Sequence, residues 1–99
     1  MPKVILQISY EIKPGKRDEY LALAAELKSH FSGIQKKNYS IFEQKGKNNC
    51  FVEEFVCNSV EEYEALEDGT TESGEELVNR LETLLKDGKA RYATLLEIL

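Results

Sequence analysis

Ninety-nine residues, 41% of them hydrophobic, are enough for one domain with a real core, though one small enough that burying a further face against a partner would help. Thirteen basic residues against eighteen acidic ones give a net charge of −5, which repels polyanions and argues against nucleic-acid and anionic-membrane binding. The opening MPKVILQISY holds only a short apolar run broken by Gln7 and Ser9, unsuited to a signal peptide or a membrane-spanning helix, so a cytoplasmic location is expected.

Val4, Leu6, Ile8, Tyr10 and Ile12 alternate with Ile5, Gln7, Ser9 and Glu11, the period-two pattern of a strand with one strongly apolar face, over about residues 3–12. Pro14-Gly15 ends it. Tyr20, Leu23, Ala24, Leu27 and Phe31 then fall on one stripe of a helix over about 15–31, with Gly33 as its C-terminal stop. Lys37 to Gln44 alternates again as a second strand. Lys45-Gly46-Lys47-Asn48-Asn49 tolerates positive φ and predicts a hairpin into a third strand.

The third strand carries two apolar pairs, Phe51-Val52 and Phe55-Val56, around Glu53-Glu54, as a central strand with both faces partly covered does. Ser59 followed by Glu62 is a capping-box spacing, so a second helix starts at about Val60 and ends near Asp68-Gly69. A third helix, about 74–87, is predicted from Leu77, Leu81 and Leu84, with its cap at Thr71 or Ser73 and Gly88 closing it. Arg91 to Leu99 alternates weakly and is read as a fourth strand. Cys50 and Cys57 lie seven residues apart on one strand, so at about 3.3 Å per residue they sit roughly 23 Å apart on opposite faces and stay free thiols.

Strand, helix, strand, strand, helix, strand is the ferredoxin-like βαββαβ order of an α+β domain, here spanning residues 1–99. Right-handed crossovers place the first and third strands in the middle of a four-stranded antiparallel sheet. Helices cover one face; the other keeps apolar residues such as Ile5, which a second copy of the chain would bury.

Several stretches resemble the antibiotic-biosynthesis-monooxygenase-like (ABM) domains of the dimeric α/β-barrel superfamily. They are Lys13-Pro14-Gly15-Lys16 after the first strand, Phe31-Ser32-Gly33-Ile34 before the second, and Phe51-Val52-Glu53-Glu54-Phe55 followed by Ser59 and Glu62-Tyr63-Glu64-Ala65. The resemblance implies a homodimer in which two sheets pair face to face as a dimeric α/β barrel. It also implies a small hydrophobic or aromatic ligand and, in the oxygenase members, cofactor-free oxidation of phenols and quinones. The chain departs from the haem-degrading members: Gln7 stands on strand one without an Asn, there is no Trp, and no His follows His30. Fold alone does not settle function, and a non-catalytic ligand-binding or dimerisation module is the alternative reading.

The cleft expected between sheet and helices is lined by Leu6, Ile8, Tyr10, Phe55 and Tyr63, with Tyr39 or Tyr92 as polar contributors. Tyr10 and His30 are the catalytic candidates: a phenol aimed at the cleft, and a general base at its mouth. The plainer reading of His30 is a surface cation complementing the end of the first helix. Neither Cys nor His30 has metal-ligand spacing, so no metal and no cofactor are expected. One of Glu53 and Glu54 should be shielded from water, with Arg80 or Arg91 as its partner. Ten acids and no Lys or Arg between Glu53 and Glu76 read as a solvated acidic face.

Overall fold

A computed structural model describes residues 2–68 and 71–99, with backbone alone at 67 and 68. The elements are β1 (Val4–Ile12), α1 (Arg17–Lys28), a π-helical turn (Ser29–Ile34), β2 (Tyr39–Glu43), β3 (Cys50–Cys57), α2 (Val60–Asp68), α3 (Glu72–Glu82) and β4 (Leu85–Leu96). The strands form one antiparallel sheet in the order β2-β3-β1-β4, so the fold is the expected ferredoxin-like α+β arrangement with β1 and β3 central.

Register fixes which side chains share a face. Val4, Leu6, Ile8 and Tyr10 stand opposite Cys57, Phe55, Glu53 and Phe51 on β3, and opposite Leu96, Thr94, Tyr92 and Ala90 on β4. This face meets the helices, and Tyr20, Leu23 and Leu27 of α1 with Leu77 and Leu81 of α3 close the core over it. Tyr20 packs on Phe51 at 4.3 Å between ring centroids, and Tyr39 on Phe55 at 4.7 Å, geometry in which aromatic pairs gain beyond simple burial. The opposite face carries Ile5, Val52, Val56, Phe42 and Leu95 around a Gln7–Glu54 hydrogen bond of 2.7 Å.

Three boundaries differ from expectation. The first helix does not run to Phe31 and stop at Gly33. It ends at Lys28 and widens into the π turn, where Gln35 N–H donates to the His30 carbonyl at 2.9 Å, and the left-handed residue is Lys36 at φ 56°. The wider turn swings His30 inward, so it is 7% exposed and not the surface cation its position suggested.

The third helix is capped by Thr71, whose hydroxyl accepts from Gly74 N–H at 3.1 Å, and it ends at Glu82. Leu84 and Leu85 are both core residues, and Lys13 N–H reaches the Leu84 carbonyl at 2.9 Å, so the chain turns there and joins the sheet. The fourth strand therefore begins at Leu85, not at Arg91. Gly88 closes no helix: with Asp87 it adopts positive φ in an irregular stretch, where β1 advances from Tyr10 to Ile12 while β4 retreats from Ala90 to Leu85.

The Ser59 cap forms as expected, accepting from Glu62 N–H at 3.1 Å. The Glu62 carboxylate reaches one residue further back than a standard capping box, to Asn58 N–H at 3.0 Å. Cys50 and Cys57 are both free, the first half-buried and the second buried.

Candidate functional site: a cleft between sheet and helices

Leu6 on β1, Phe55 on β3 and Tyr92 and Thr94 on β4 floor a cleft of about 710 Å³. Phe31, Gln35 and Lys37 from the turn after α1, Tyr63 and Leu66 from α2, and Thr71, Gly74, Glu75, Val78 and Asn79 around α3 complete its walls. The volume lies in the range of small-molecule sites. A depression of about 760 Å³ between Arg17 and residues 43–49 is slightly larger, but it is lined by charged and amide groups. Its Arg17 guanidinium is already held by two oxygens of Glu43 at 2.6 and 2.7 Å, and the apolar cleft is the better site for a ring-bearing ligand.

The cleft is apolar along its floor and polar at restricted points. Phe31 and Phe55 meet edge to face at 5.2 Å, offering ring faces and edges to a flat ligand. Tyr63 and Thr94 hydroxyls lie 2.9 Å apart across the gap between α2 and β4. Tyr92 is 70% exposed and forms an open rim.

Of the residues expected here, Leu6, Phe55, Tyr63 and Tyr92 line the cleft. Ile8, Tyr10 and Tyr39 do not. Ile8 packs against the core, Tyr10 Oη sits 2.8 Å from Tyr20 Oη, and Tyr39 donates to Glu53 Oε1 at 2.5 Å. Their phenols are turned toward a buried carboxyl and away from the ligand space. His30 also stands off the cleft, one hydrogen bond behind it: its Nε2 is 3.1 Å from Gln35 Nε2 and 3.4 Å from Thr71 Oγ1.

Glu53 is the shielded member of the acidic pair, 4% exposed, and no arginine reaches it. Arg80 is instead paired with Glu26 at 2.7 Å, and Glu54 bonds Gln7. Burial pushes the Glu53 carboxyl above the usual carboxylate range, with the Tyr10 and Tyr39 hydroxyls opposing; its Oε2 has no partner. Burial, and then the nearby carboxyl, likewise drives the Tyr10 and Tyr39 phenols well above their ordinary range. Burial thus favours the neutral form across this network, which faces the core and not the cleft. Among the described residues no three His, Cys, Asp or Glu side chains converge as a metal site.

Phe31 and Leu66 were legible as apolar helix positions, though not as cleft walls. Gln35 and Asn79 carry no periodic signal and Lys37 only opens the alternation of the second strand, so the fold alone brings them to the site.

The geometry defines a class: a ferredoxin-like sheet with a ligand-sized cleft beneath its helices. The chain matches no family model and no curated protein in sequence. In structure it resembles an antibiotic biosynthesis monooxygenase, at 24% identity and TM-score 0.71, over 100% of this chain and 98% of that one. It also resembles SnoaB, a cofactor-independent oxygenase from Streptomyces nogalater, at 12% identity and TM-score 0.73, over 94% and 90% of the two chains. A NIPSNAP family protein from Agrobacterium tumefaciens matches at 18% identity and TM-score 0.71, over 97% and 86%. The chain thus shares the ferredoxin-like α+β fold of these structures.

Proposed function

We propose that the protein binds a small aromatic, quinone-like or phenolic molecule in this cleft and oxidises it with molecular oxygen without a bound cofactor. The observation that carries the reading is the cleft itself: the rings of Phe31 and Phe55 beside Leu6, Leu66 and Val78, with hydroxyl, amide, ammonium and carboxylate groups at restricted points, on a fold shared with a cofactor-independent oxygenase. In such a reaction an activated CH₂ becomes C=O. One oxygen atom enters the product, and the other leaves as water with the two hydrogens, so the substrate supplies all the electrons. The protein's part is to exclude water, hold the ring and stabilise the substrate anion, a task for which Lys37 brings positive charge to the wall.

The chemistry then belongs to the groups facing the cleft, with Tyr63 in the role expected of Tyr10. The working unit is a homodimer through the open sheet face, and its place is the cytoplasm. Oxygen uptake with a panel of anthrone-like and hydroquinone-like substrates tests the reading. Wild-type turnover is expected, with Tyr63→Phe slowed about tenfold or more and Tyr10→Phe reduced only as far as its stability falls. Saturable binding without oxygen uptake across the panel would leave the non-catalytic ligand-binding module as the function.

A further inference from the structure

His30 touches no cleft space, yet both polar groups at its Nε2 do. Gln35 Nε2 lies 3.1 Å from it and 3.5 Å from Thr71 Oγ1, while Thr71 Oγ1 lies 3.4 Å from the imidazole and already accepts from Gly74 N–H. An amide nitrogen can only donate, so the imidazole nitrogen facing it is the unprotonated acceptor. The Gln35 amide nitrogen thus has two acceptors within reach, and its Oε1 has no hydrogen-bond partner among the described residues.

The ring has little freedom to move off this position. Phe31 packs edge-on to it at 4.9 Å, and a Cβ on Gly74 would come within 3.1 Å of Nε2, so only glycine leaves the imidazole undisturbed there.

We propose that His30 is a positioning residue that fixes the Gln35 amide, so that the cleft presents a hydrogen-bond acceptor at this wall and prefers ligands bearing a hydroxyl over those bearing only a carbonyl or ether oxygen. This deepens the reading of the cleft as the ligand site and rests on it. A ligand hydroxyl meets an acceptor that no other described residue uses. An acceptor-only oxygen is desolvated against another oxygen lone pair, a loss that discriminates more strongly than a missing methylene.

Calorimetric titration of the full chain with β-naphthol and with its methyl ether tests the inference. The wild type is expected to bind the naphthol roughly tenfold more tightly. Gln35→Met should abolish the preference, the naphthol losing affinity and the ether gaining it. His30→Phe should also abolish it, by freeing the amide to turn, and His30→Gln should restore most of it, because its Oε1 can accept where Nε2 did. A purely structural His30 would instead weaken both probes in proportion. Equal binding of the two probes to the wild type, or a preference that survives Gln35→Met, overturns the inference and leaves the cleft reading intact. Binding of neither probe overturns both. If His30→Phe does not fold, Gln35→Met on its turn position still decides.

Discussion

Glu53 sits on the buried face of a central strand, with one oxygen bonded to Tyr39 and the other without a partner. Burial raises its pKa in the folded chain, while the unfolded chain returns it to the ordinary carboxylate value. Between those two values the folded chain holds a proton that the unfolded chain has lost. The stability contributed by the neutral acid is therefore complete below the unfolded value and is lost as pH rises toward the folded one. Glu53→Gln keeps the shape and removes the titration. Thermal unfolding across that window should show the wild-type Tm falling relative to the variant as pH rises; a difference that stays flat would mean the carboxyl is not held neutral. Tyr39 and Tyr10 owe their buried positions to the same network, which is why their phenols serve the core and not the cleft.

At the scale of elements, the third helix decides much of the cleft, since Thr71, Gly74, Glu75, Val78 and Asn79 all belong to its start and one face. Its cap is the Thr71 hydroxyl, and Ser73 lies inside the first turn, exposed. Thr71→Ala should cost about 1 kcal/mol of unfolding free energy, the usual worth of an N-cap, and Ser73→Ala less than about half of that. Denaturant melts of the two variants check it, and a larger cost at Ser73 would move the cap to that residue. The π turn after α1 has a comparable effect: by widening one turn it directs His30 inward and leaves Gln35 and Lys37 on the cleft wall.

The molecule as a whole leaves one face of its sheet uncovered. Phe42 is 51% exposed and Leu95 45% exposed there, beside Ile5, Val52 and Val56, an apolar patch around the Gln7–Glu54 pair that shares its face with Ser9, Ser40 and Arg91. Burying such a patch against a second copy follows from the cost of wetting it, and a two-fold axis lets the same patch serve both chains. Light scattering at micromolar concentration is expected to give twice the 11.3 kDa chain mass, and Val56→Lys to give the monomer mass with its helical circular dichroism retained. A monomeric wild type would remove the dimer from the reading. The described residues include no helix long and apolar enough to cross a membrane.

The order of elements, the hairpin at Gly46, the Ser59 cap and the inward face of β1 could all be read from the chain, because each depends on residues within a few positions of one another. Alternation in β1 is clean, with Val4, Leu6, Ile8, Tyr10 and Ile12 on one side. On β3 both parities are apolar, so periodicity could not say whether Glu53 or Glu54 turned inward. The pairing of Glu53 with Ile8, and of Glu54 with Gln7, chose between them. The end of α3 was misplaced for the same reason: Leu84 and Leu85 extend a helical stripe locally, but the sheet offers them burial and a hydrogen bond to Lys13. The site divides in the same way. Leu6 and Tyr63 could be placed from the alternation of β1 and the amphipathic start of α2, Phe55 and Tyr92 only once strand pairing had settled the parity of β3 and β4, whereas Gln35, Thr71 and Asn79 meet at the cleft only after α1, its π turn and α3 have packed. Periodicity records which face a residue occupies; long-range packing decides what that face meets.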